Sequence, residues 1–155
     1  MVQIRKFRPS DGKAVSNVIR TTMRISNAAD YEMERLQPLI DYFSPAKVEQ
    51  LSYERDCLVA VEEEEIIGTA ALEDDELVTF FVEPQHQGRG IGSALLEEIE
   101  AIARRYGRLE LKVDASLAGT AFYERHGYKR TGRVLEGTAG PQISMRKQLC
   151  SEPPA

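Results

Sequence analysis

The sequence predicts a single α+β domain with a mixed, mostly antiparallel sheet and helices layered on both of its faces. Short apolar runs with strand character follow one another closely in the middle and at the end of the chain. One strongly amphipathic helix, residues 93–106, separates the runs 77–82 and 109–113, so these two strands should be parallel neighbours or near-neighbours. The 155 residues suffice for one domain, which we place at 1–150, followed by a disordered tail at 151–155.

Composition and charge narrow the functional classes. The chain carries 20 Lys and Arg against 25 Asp and Glu, a net charge of −5, and this balance disfavours nucleic-acid binding. The two cysteines, Cys57 and Cys150, lack metal-ligand spacing, so we expect a reducing compartment and no metal site. No apolar run approaches the ~18 residues of a membrane span, and residues 1–7 lack the apolar segment of a signal peptide. We therefore predict a cytoplasmic protein without a membrane partner.

The N-terminal third predicts one strand and two helices. Residues 2–7 alternate apolar and polar side chains as a half-buried strand does, and Pro9 opens a helix with apolar residues at helical spacing. Residues 31–43 are ambiguous, because Pro38 should interrupt any continuous helix there. Ser44 is a good N-cap for the second helix, since a proline follows it at the first helical position.

The rest of the chain predicts short strands around two further helices. The helix at 93–106 carries one apolar stripe, has glutamates early and arginines late, and should end at Gly107. Ser116 should cap a short helix that His126 and Gly127 end. Apolar runs predict strands at 57–61, 66–72, 77–82, 109–113, 128–135 and 142–149. The predicted order is therefore β, α, α, β, β, β, α, β, α, β, β.

A glycine-spaced segment, Gln87–Ser93, joins the strand at 77–82 to the long helix. A helix N-terminus has unpartnered backbone N–H groups and about half a positive charge, and glycines let an anion come close to those groups. The segment therefore predicts a phosphate-bearing ligand, with glycines at 88, 90 and 92. It lacks the lysine of a Walker motif, and its spacing and mid-chain position differ from those of the dinucleotide fingerprint.

Two blocks of the chain resemble the GNAT (Gcn5-related) N-acetyltransferase family. Gln87-x-x-Gly90-x-Gly92 is similar to the family's acetyl-CoA-binding signature, (Arg/Gln)-x-x-Gly-x-(Gly/Ala). The segment 121–128, Ala-Phe-Tyr-Glu-Arg-His-Gly-Tyr, is similar to its second block, and helix, strand and short helix separate the two as in the family. The resemblance covers residues 66–149. It implies the acyl-CoA N-acyltransferase fold and transfer of an acetyl group from acetyl-CoA directly to a primary amine.

The resemblance also implies roles for individual residues. The backbones of Phe81 and Val82 would hold the pantetheine arm, and an amide near Val82 would polarise the thioester carbonyl. Tyr123 would be the general acid that protonates the departing thiolate. Many relatives carry an Asn after the strand at 109–113, where this chain has Asp-Ala-Ser, so Ser116 could supply a similar polar contact. The coenzyme A pyrophosphate would be held by Gln87, Gly88, Arg89, Gly90, Ile91, Gly92 and Ser93, the last through its hydroxyl as well.

The general base is left open by the sequence. A base must deprotonate the attacking ammonium, and we prefer Glu73 and Glu83 among the acidic candidates Glu73, Asp74, Asp75, Glu76 and Glu83. Neither cysteine lies in the matching blocks, so no covalent enzyme intermediate is expected. We predict that His86 and His126 are ordinary loop residues.

The acceptor is not identified by the sequence, and a small amine is favoured over a protein. Its pocket should come from residues 20–55 and the turn at 136–141, with an aromatic frame of Tyr31, Tyr42, Phe43 and Tyr53. Two alternatives stay open, a non-catalytic coenzyme A sensor and a peptide N-terminal acetylase with an open groove. A homodimer is compatible with the family.

Overall fold

The computed structural model describes residues 1–149, so Cys150 and the predicted tail at 151–155 lie outside the described residues. The strands are β1 Gln3–Lys6, β2 Asp56–Glu62, β3 Glu65–Glu73, β4 Glu76–Val82, β5 Glu110–Ala115, β6 Lys129–Glu136 and β7 Pro141–Gln148. The helices are α1 Gly12–Ile25, α2 Met33–Tyr42, α3 Pro45–Ser52, α4 Ile91–Arg105 and α5 Thr120–Arg125. Within these residues, no helix is long and apolar enough to cross a membrane.

The strands form one seven-stranded sheet in the order β1-β2-β3-β4-β5-β7-β6. All neighbouring strands are antiparallel except β4 and β5, which are parallel, as the intervening helix predicted. One apolar core lies between the sheet and α4, and a second lies between the sheet and helices α1, α2 and α3. The predicted class, a mixed and mostly antiparallel sheet between two helical layers, is confirmed.

Three helices, not two, connect β1 to β2, because α2 runs through Pro38. The prediction that this proline interrupts a helix is wrong. Leu36 and Ile40 are fully buried on one side of α2, and their burial offsets the single backbone hydrogen bond that the exposed proline removes. The N-cap predicted for α3 is confirmed, since the Ser44 hydroxyl accepts a hydrogen bond from the Lys47 backbone N–H at 3.2 Å.

The β4–β5 pair is the feature of the sheet that shapes the site. The two strands are in register only at Glu76 with Lys112 and at Leu77 with Val113. Beyond that point β5 stays paired with β7, while β4 stays paired with β3 as far as Val82. The two strands therefore diverge, and the rest of β4 presents an unpaired backbone edge to the space between them.

Candidate active site

The open edge of β4 carries the backbone groups of Phe80 and Val82. The Glu83 N–H donates to the Ile67 carbonyl at 2.9 Å, and hydrogen-bonded pairs alternate along an antiparallel ladder. The backbone groups of Phe81 therefore face β3, whereas those of its two neighbours face the gap. Of the two predicted backbone positions, Val82 lies on the open edge, but Phe81 does not, and Phe80 takes its place.

The glycine loop leads directly from this edge into α4. Gly88 and Gly90 have φ angles of +79° and +84°, a conformation that other residues adopt only with strain. Apart from the adjacent residues, no atom of residues 1–149 lies within 4 Å of where a Cβ would stand at either glycine, so open space faces the loop. Gly90 is the N-cap of α4, and the unpartnered N–H groups in the first turn of this helix face the open space beside the loop. The helix starts at Ile91, two residues earlier than predicted, which brings more of the predicted loop into its first turn.

Three side chains of the loop have structural partners of their own. Gln87 Nε2 donates to the Val82 carbonyl at 2.9 Å, so it covers one acceptor of the open edge. Arg89 forms a two-pronged ion pair with Glu62, with N–O distances of 2.6 and 3.1 Å. Ile91 is buried in the core, so only its backbone can serve a ligand. The predicted anion site is therefore built mainly from backbone groups.

Gly92 lets α5 come close to the first turn of α4. A Cβ at this position would stand 3.3 Å from the Phe122 ring and 3.4 Å from the Phe80 ring. The close approach brings His126 Nε2 to 2.9 Å from the Ser93 hydroxyl, while its Nδ1 lies 2.8 Å from the Phe122 carbonyl. The prediction that His126 is an ordinary loop residue missed this contact. Its only sequence signal is its place before Gly127 in the second block.

Tyr123 lies beside the open edge of β4. Its ring centroid is 5.9 Å from that of Phe80 and 5.6 Å from that of Tyr128, and the side chain is buried. Burial raises the pKa of the Tyr123 phenol well above its usual value, so the group stays protonated at physiological pH. Among residues 1–149 the hydroxyl has no hydrogen-bond partner, and it is free to donate to a group bound in the gap.

Ser116 lies at the end of β5, where the strand turns towards α5. It occupies an N-cap position, but its hydroxyl makes no capping hydrogen bond, so the predicted capping role is wrong. A short 3₁₀ turn at Leu117–Gly119 precedes α5 and supplies its own backbone bonds, including one from Gly119 N–H to the Ser116 carbonyl. The Ser116 hydroxyl is therefore available to a ligand.

The acidic candidates differ in their surroundings. Glu73 is half exposed and lies 3.6 Å from Arg55, and Glu83 lies 3.0 Å from His86. Glu76 lies on the short paired stretch of β4 and β5, just before the two strands diverge. Burial and the neighbouring carboxyl of Asp114, to which it is hydrogen-bonded, raise its pKa. A carboxylate of raised basicity beside the gap is better suited to proton abstraction than either preferred candidate.

Tyr31 joins the segment before α2 to the turn that follows β5. Its hydroxyl accepts from the Leu117 N–H at 3.1 Å and donates to the Pro141 carbonyl at 2.8 Å. Arg35, at the start of α2, pairs with Glu136 at 2.7 Å across the same junction. The segment before α2 is thus fastened both to the turn after β5 and to the β6–β7 hairpin.

The other predicted aromatic frame residues do not surround this space. Phe43 packs in the core between the sheet and α1–α3, while Tyr42 and Tyr53 are exposed, at 45% and 71%. Cys57 is also unsuited to nucleophilic catalysis, because burial raises the pKa of its thiol to about 11. Of the predicted aromatic set, Tyr31 alone lies at the gap.

The fold and this geometry define an acyltransferase type of site, with an anion loop, an open strand edge and a buried phenol. A family model described as the acetyltransferase (GNAT) domain matches residues 27–149. The chain therefore belongs to the GNAT acetyltransferase family and is an N-acetyltransferase. The resemblance seen in its two sequence blocks is confirmed.

Known N-acetyltransferases match most of this chain in sequence or in structure. The peptidyl-lysine N-acetyltransferase YjaB of Salmonella typhimurium is 27% identical over 138 residues, 86% of this chain and 87% of that protein. A GCN5-related N-acetyltransferase from Rhodopseudomonas palustris has a TM-score of 0.87 and 24% identity, covering 95% of both chains. PaiA N-acetyltransferase from Thermoplasma acidophilum, solved with coenzyme A, has a TM-score of 0.82 and 23% identity, covering 96% of this chain and 99% of that one.

Proposed function

We propose that this N-acetyltransferase moves an acetyl group from acetyl-CoA directly to the primary amine of a small molecule. The observation that carries the proposal is the open edge of β4 beside Tyr123. The edge offers the Phe80 N–H to a thioester carbonyl, and the phenol offers a proton to the leaving group. Acetyl-CoA would lie between β4 and β5, with its pyrophosphate on the glycine loop at Gln87–Ser93.

The donor side needs no side-chain nucleophile. The amine nitrogen attacks the thioester carbon, the carbonyl oxygen takes up negative charge against the Phe80 N–H, and the carbon–sulfur bond then breaks. An amide donor placed in this way lowers the barrier by about 3–4 kcal/mol in comparable sites. Tyr123 is protonated before the step, because burial raises its pKa, and it gives its proton to the leaving thiolate. The phenolate takes a proton back from the attacking nitrogen, which loses it as the amide forms.

Glu76 is the general base that the geometry favours. Glu73 and Glu83, the two residues preferred from sequence, each lie against a basic side chain. Four residues, about 13 Å of strand, separate Glu76 from Phe80, so the ammonium proton would reach the carboxylate through water. Burial, and after it the neighbouring Asp114, raises the pKa of the Glu76 carboxyl above that of an exposed glutamate.

The junction at Tyr31 supports a small acceptor rather than a peptide. The Tyr31 hydroxyl donates one hydrogen bond and accepts another. With the Arg35–Glu136 ion pair, these contacts fasten the segment before α2 to the turn after β5 and to the β6–β7 hairpin. An extended peptide needs an open groove to pass through the site, and contacts that tie these segments together disfavour such a groove. Lysine side chains of proteins are the second candidate, because the relative YjaB is named a peptidyl-lysine N-acetyltransferase.

A thiol-release screen tests the function. Acetyl-CoA is incubated with the protein and with polyamines, amino acids, aminoglycosides or lysine peptides, and free coenzyme A is followed with a thiol reagent. Acceleration by a small amine, with the acetylated amine found by mass spectrometry, supports the proposal. Acceleration by peptides alone favours the second candidate, and no acceleration by any amine contradicts both.

A further inference from the structure

We propose that His126 and Ser93 form a proton-linked part of the coenzyme site, in which His126 takes up a proton so that Ser93 can donate to the bound diphosphate. The inference rests on the proposed position of the diphosphate at the glycine loop. It assigns His126 as a positioning residue, because it acts on the coenzyme through the Ser93 hydroxyl.

The two side chains are held together by the packing of α5 on α4. Ser93 is in the first turn of α4, and its Oγ lies 2.9 Å from His126 Nε2. The imidazole stacks on the Phe122 ring at 4.4 Å between centroids, and Phe122 in turn packs against Phe80 at 5.4 Å. Gly92 permits this approach, because a Cβ there would stand 3.3 Å from Phe122. The contact is therefore a consequence of core packing and not of a mobile surface side chain.

The hydrogen-bond partners dictate the direction of each bond when the imidazole is neutral. The Phe122 carbonyl can only accept, so His126 Nδ1, at 2.8 Å, must carry the hydrogen. His126 Nε2 is then the bare nitrogen of a neutral ring and can only accept. The Ser93 hydroxyl must donate its single hydrogen to Nε2. In this state Ser93 has no hydrogen left for a phosphate oxygen.

Protonation of the imidazole reverses the second bond. Both ring nitrogens then donate, and Ser93 Oγ accepts from Nε2. The hydroxyl hydrogen is released and can point to a phosphate oxygen at the N-terminus of α4, where N–H groups already favour an anion. A diphosphate therefore binds best to the protonated pair, and binding at higher pH requires uptake of one proton from solvent.

The charged groups around His126 do not compete for this role. Among residues 1–149 His126 has no ion-pair partner. Lys147, whose chain lies 3.5 Å from the Cβ position of Gly127, is paired with Glu100 at 3.0 Å. Two charged residues are close in sequence to the pair. Glu97 lies one turn after Ser93 in α4 and is negative, and Arg125 directly precedes His126 and is positive, so their charges oppose each other. Carboxylates, lysines and arginines keep their charge between pH 6 and 7.5, where histidine is the side chain that changes charge.

Calorimetric binding of dephospho-CoA across pH 6 to 7.5 tests the link. This probe lacks the 3′-phosphate, whose own titration near pH 6 would add a proton signal. Titration in buffers of different ionisation enthalpy gives the number of protons taken up. We expect uptake of about half a proton per site at its maximum, and a Kd that weakens by ~10-fold in total as the imidazole loses its proton.

Two variants separate the hydroxyl relay from simple attraction between imidazolium and phosphate. His126→Gln keeps a neutral side-chain donor for Ser93 at every pH, so it should bind the probe with no proton uptake and a Kd that is constant over this range. Ser93→Ala should lose most of the uptake and bind ~10-fold more weakly at pH 6. A Ser93→Ala protein with wild-type uptake overturns the relay, because attraction alone would then account for it.

The outcomes distinguish this inference from the proposed function. Wild-type protein that binds dephospho-CoA with a pH-independent Kd and no proton uptake overturns the inference and leaves the coenzyme site intact. Wild-type protein that binds neither dephospho-CoA nor acetyl-CoA at any pH overturns the proposed function itself. Thermal unfolding of both variants identifies any that fail to fold, and Ser93→Thr, which keeps the hydroxyl, should then retain the uptake.

Discussion

Replacement of Tyr123 by phenylalanine tests the proposed acid with little disturbance of the fold. The change removes one hydroxyl oxygen that has no hydrogen-bond partner among residues 1–149. The ring contacts with Phe80, Phe122 and Tyr128 depend on the aromatic face and remain possible in the variant. Any loss of rate therefore reports on the proton and not on the packing.

The expected effects on stability and rate differ in sign. Burying a hydroxyl without a partner costs about 1–3 kcal/mol, so the free energy of unfolding should stay unchanged or rise in Tyr123→Phe. Loss of a general acid typically lowers the rate by ~10²–10⁴-fold, and water can replace part of its role. We expect kcat to fall by at least ~10-fold, which corresponds to about 1.4 kcal/mol of barrier, with little change in coenzyme affinity.

Tyr128→Phe is the matched control in the same aromatic cluster. The Tyr128 hydroxyl donates to the buried Glu100 carboxylate at 2.8 Å, which Lys147 at 3.0 Å and Arg104 at 3.7 Å also pair with. Its removal leaves a buried carboxylate with one donor fewer, which should destabilise the fold by about 1–3 kcal/mol. The kcat of this variant should stay close to that of the wild type.

The assay combines thiol release at saturating acetyl-CoA, calorimetric binding of coenzyme A and urea unfolding for wild type and both variants. A wild-type kcat in Tyr123→Phe removes Tyr123 as the acid. An equal loss of kcat in both variants would assign the effect to the packing of the cluster. The reasoning holds only if Tyr123→Phe loses rate without losing stability and Tyr128→Phe loses stability without losing rate.

Three further predictions address the loop, the base and the fold. Gly90→Glu should abolish coenzyme A binding, because it places a carboxylate and a strained φ of +84° at the anion site. Gly132→Glu, with a similar φ of +90° and equally open space, should not, and equal calorimetric affinity in Gly90→Glu refutes the site. Glu76→Gln should lower kcat/KM by at least ~10-fold. The wild-type rate should fall as the pH drops through the raised pKa of Glu76, and this fall should be absent in Glu76→Gln but present in the control Glu73→Gln. A pH profile of Glu76→Gln that matches the wild type rejects Glu76 as the base. Burial opposes ionisation of Asp11, but hydrogen bonds from the Arg5 side chain and the Arg8 backbone outweigh it and lower the pKa of Asp11. Asp11→Asn should therefore cost about 1–3 kcal/mol at pH 7, and this cost should shrink as the pH falls below the ordinary Asp pKa and through the lowered one, as urea unfolding over that pH range would show.

Sequence pattern predicted the elements whose signals are local. The long helix before Gly107, the hairpin of β2 and β3 and the N-cap at Ser44 depend on periodicity, turn residues and caps within a few positions. The helix through Pro38 was missed because its stability comes from burial of Leu36 and Ile40 against distant elements, which outweighs an unfavourable local residue.

The candidate site was predictable only in its linear parts. The glycine loop and the position of Tyr123 follow from two short blocks, and the structure places both at one gap. The other contacts of the site join residues that are distant in the sequence. His126 and Ser93 are 33 positions apart and Glu76 and Asp114 are 38 apart, while the two hydrogen bonds of Tyr31 span 86 and 110 positions. No pattern within a single segment predicts such contacts, because they depend on how α5 packs on α4 and on where β4 leaves β5.

The divergence of β4 and β5 shows why no sequence motif marks the open edge of β4. β4 does not share sheet hydrogen bonds with β5 at Phe80 and Val82, because the two strands pair over two residue pairs only. β5 stays with β7 instead, from Glu110 with Gln148 to Ala115 with Ile143. A register shift opposite Ala71 and Leu72 gives β4 an extra residue, and such bulges increase local twist. Had the parallel ladder continued, the Phe80 N–H would be occupied by a sheet hydrogen bond and could not meet a thioester carbonyl. The pairing preference of a strand on the far side of the gap, and not a side chain at the site, therefore makes the edge available.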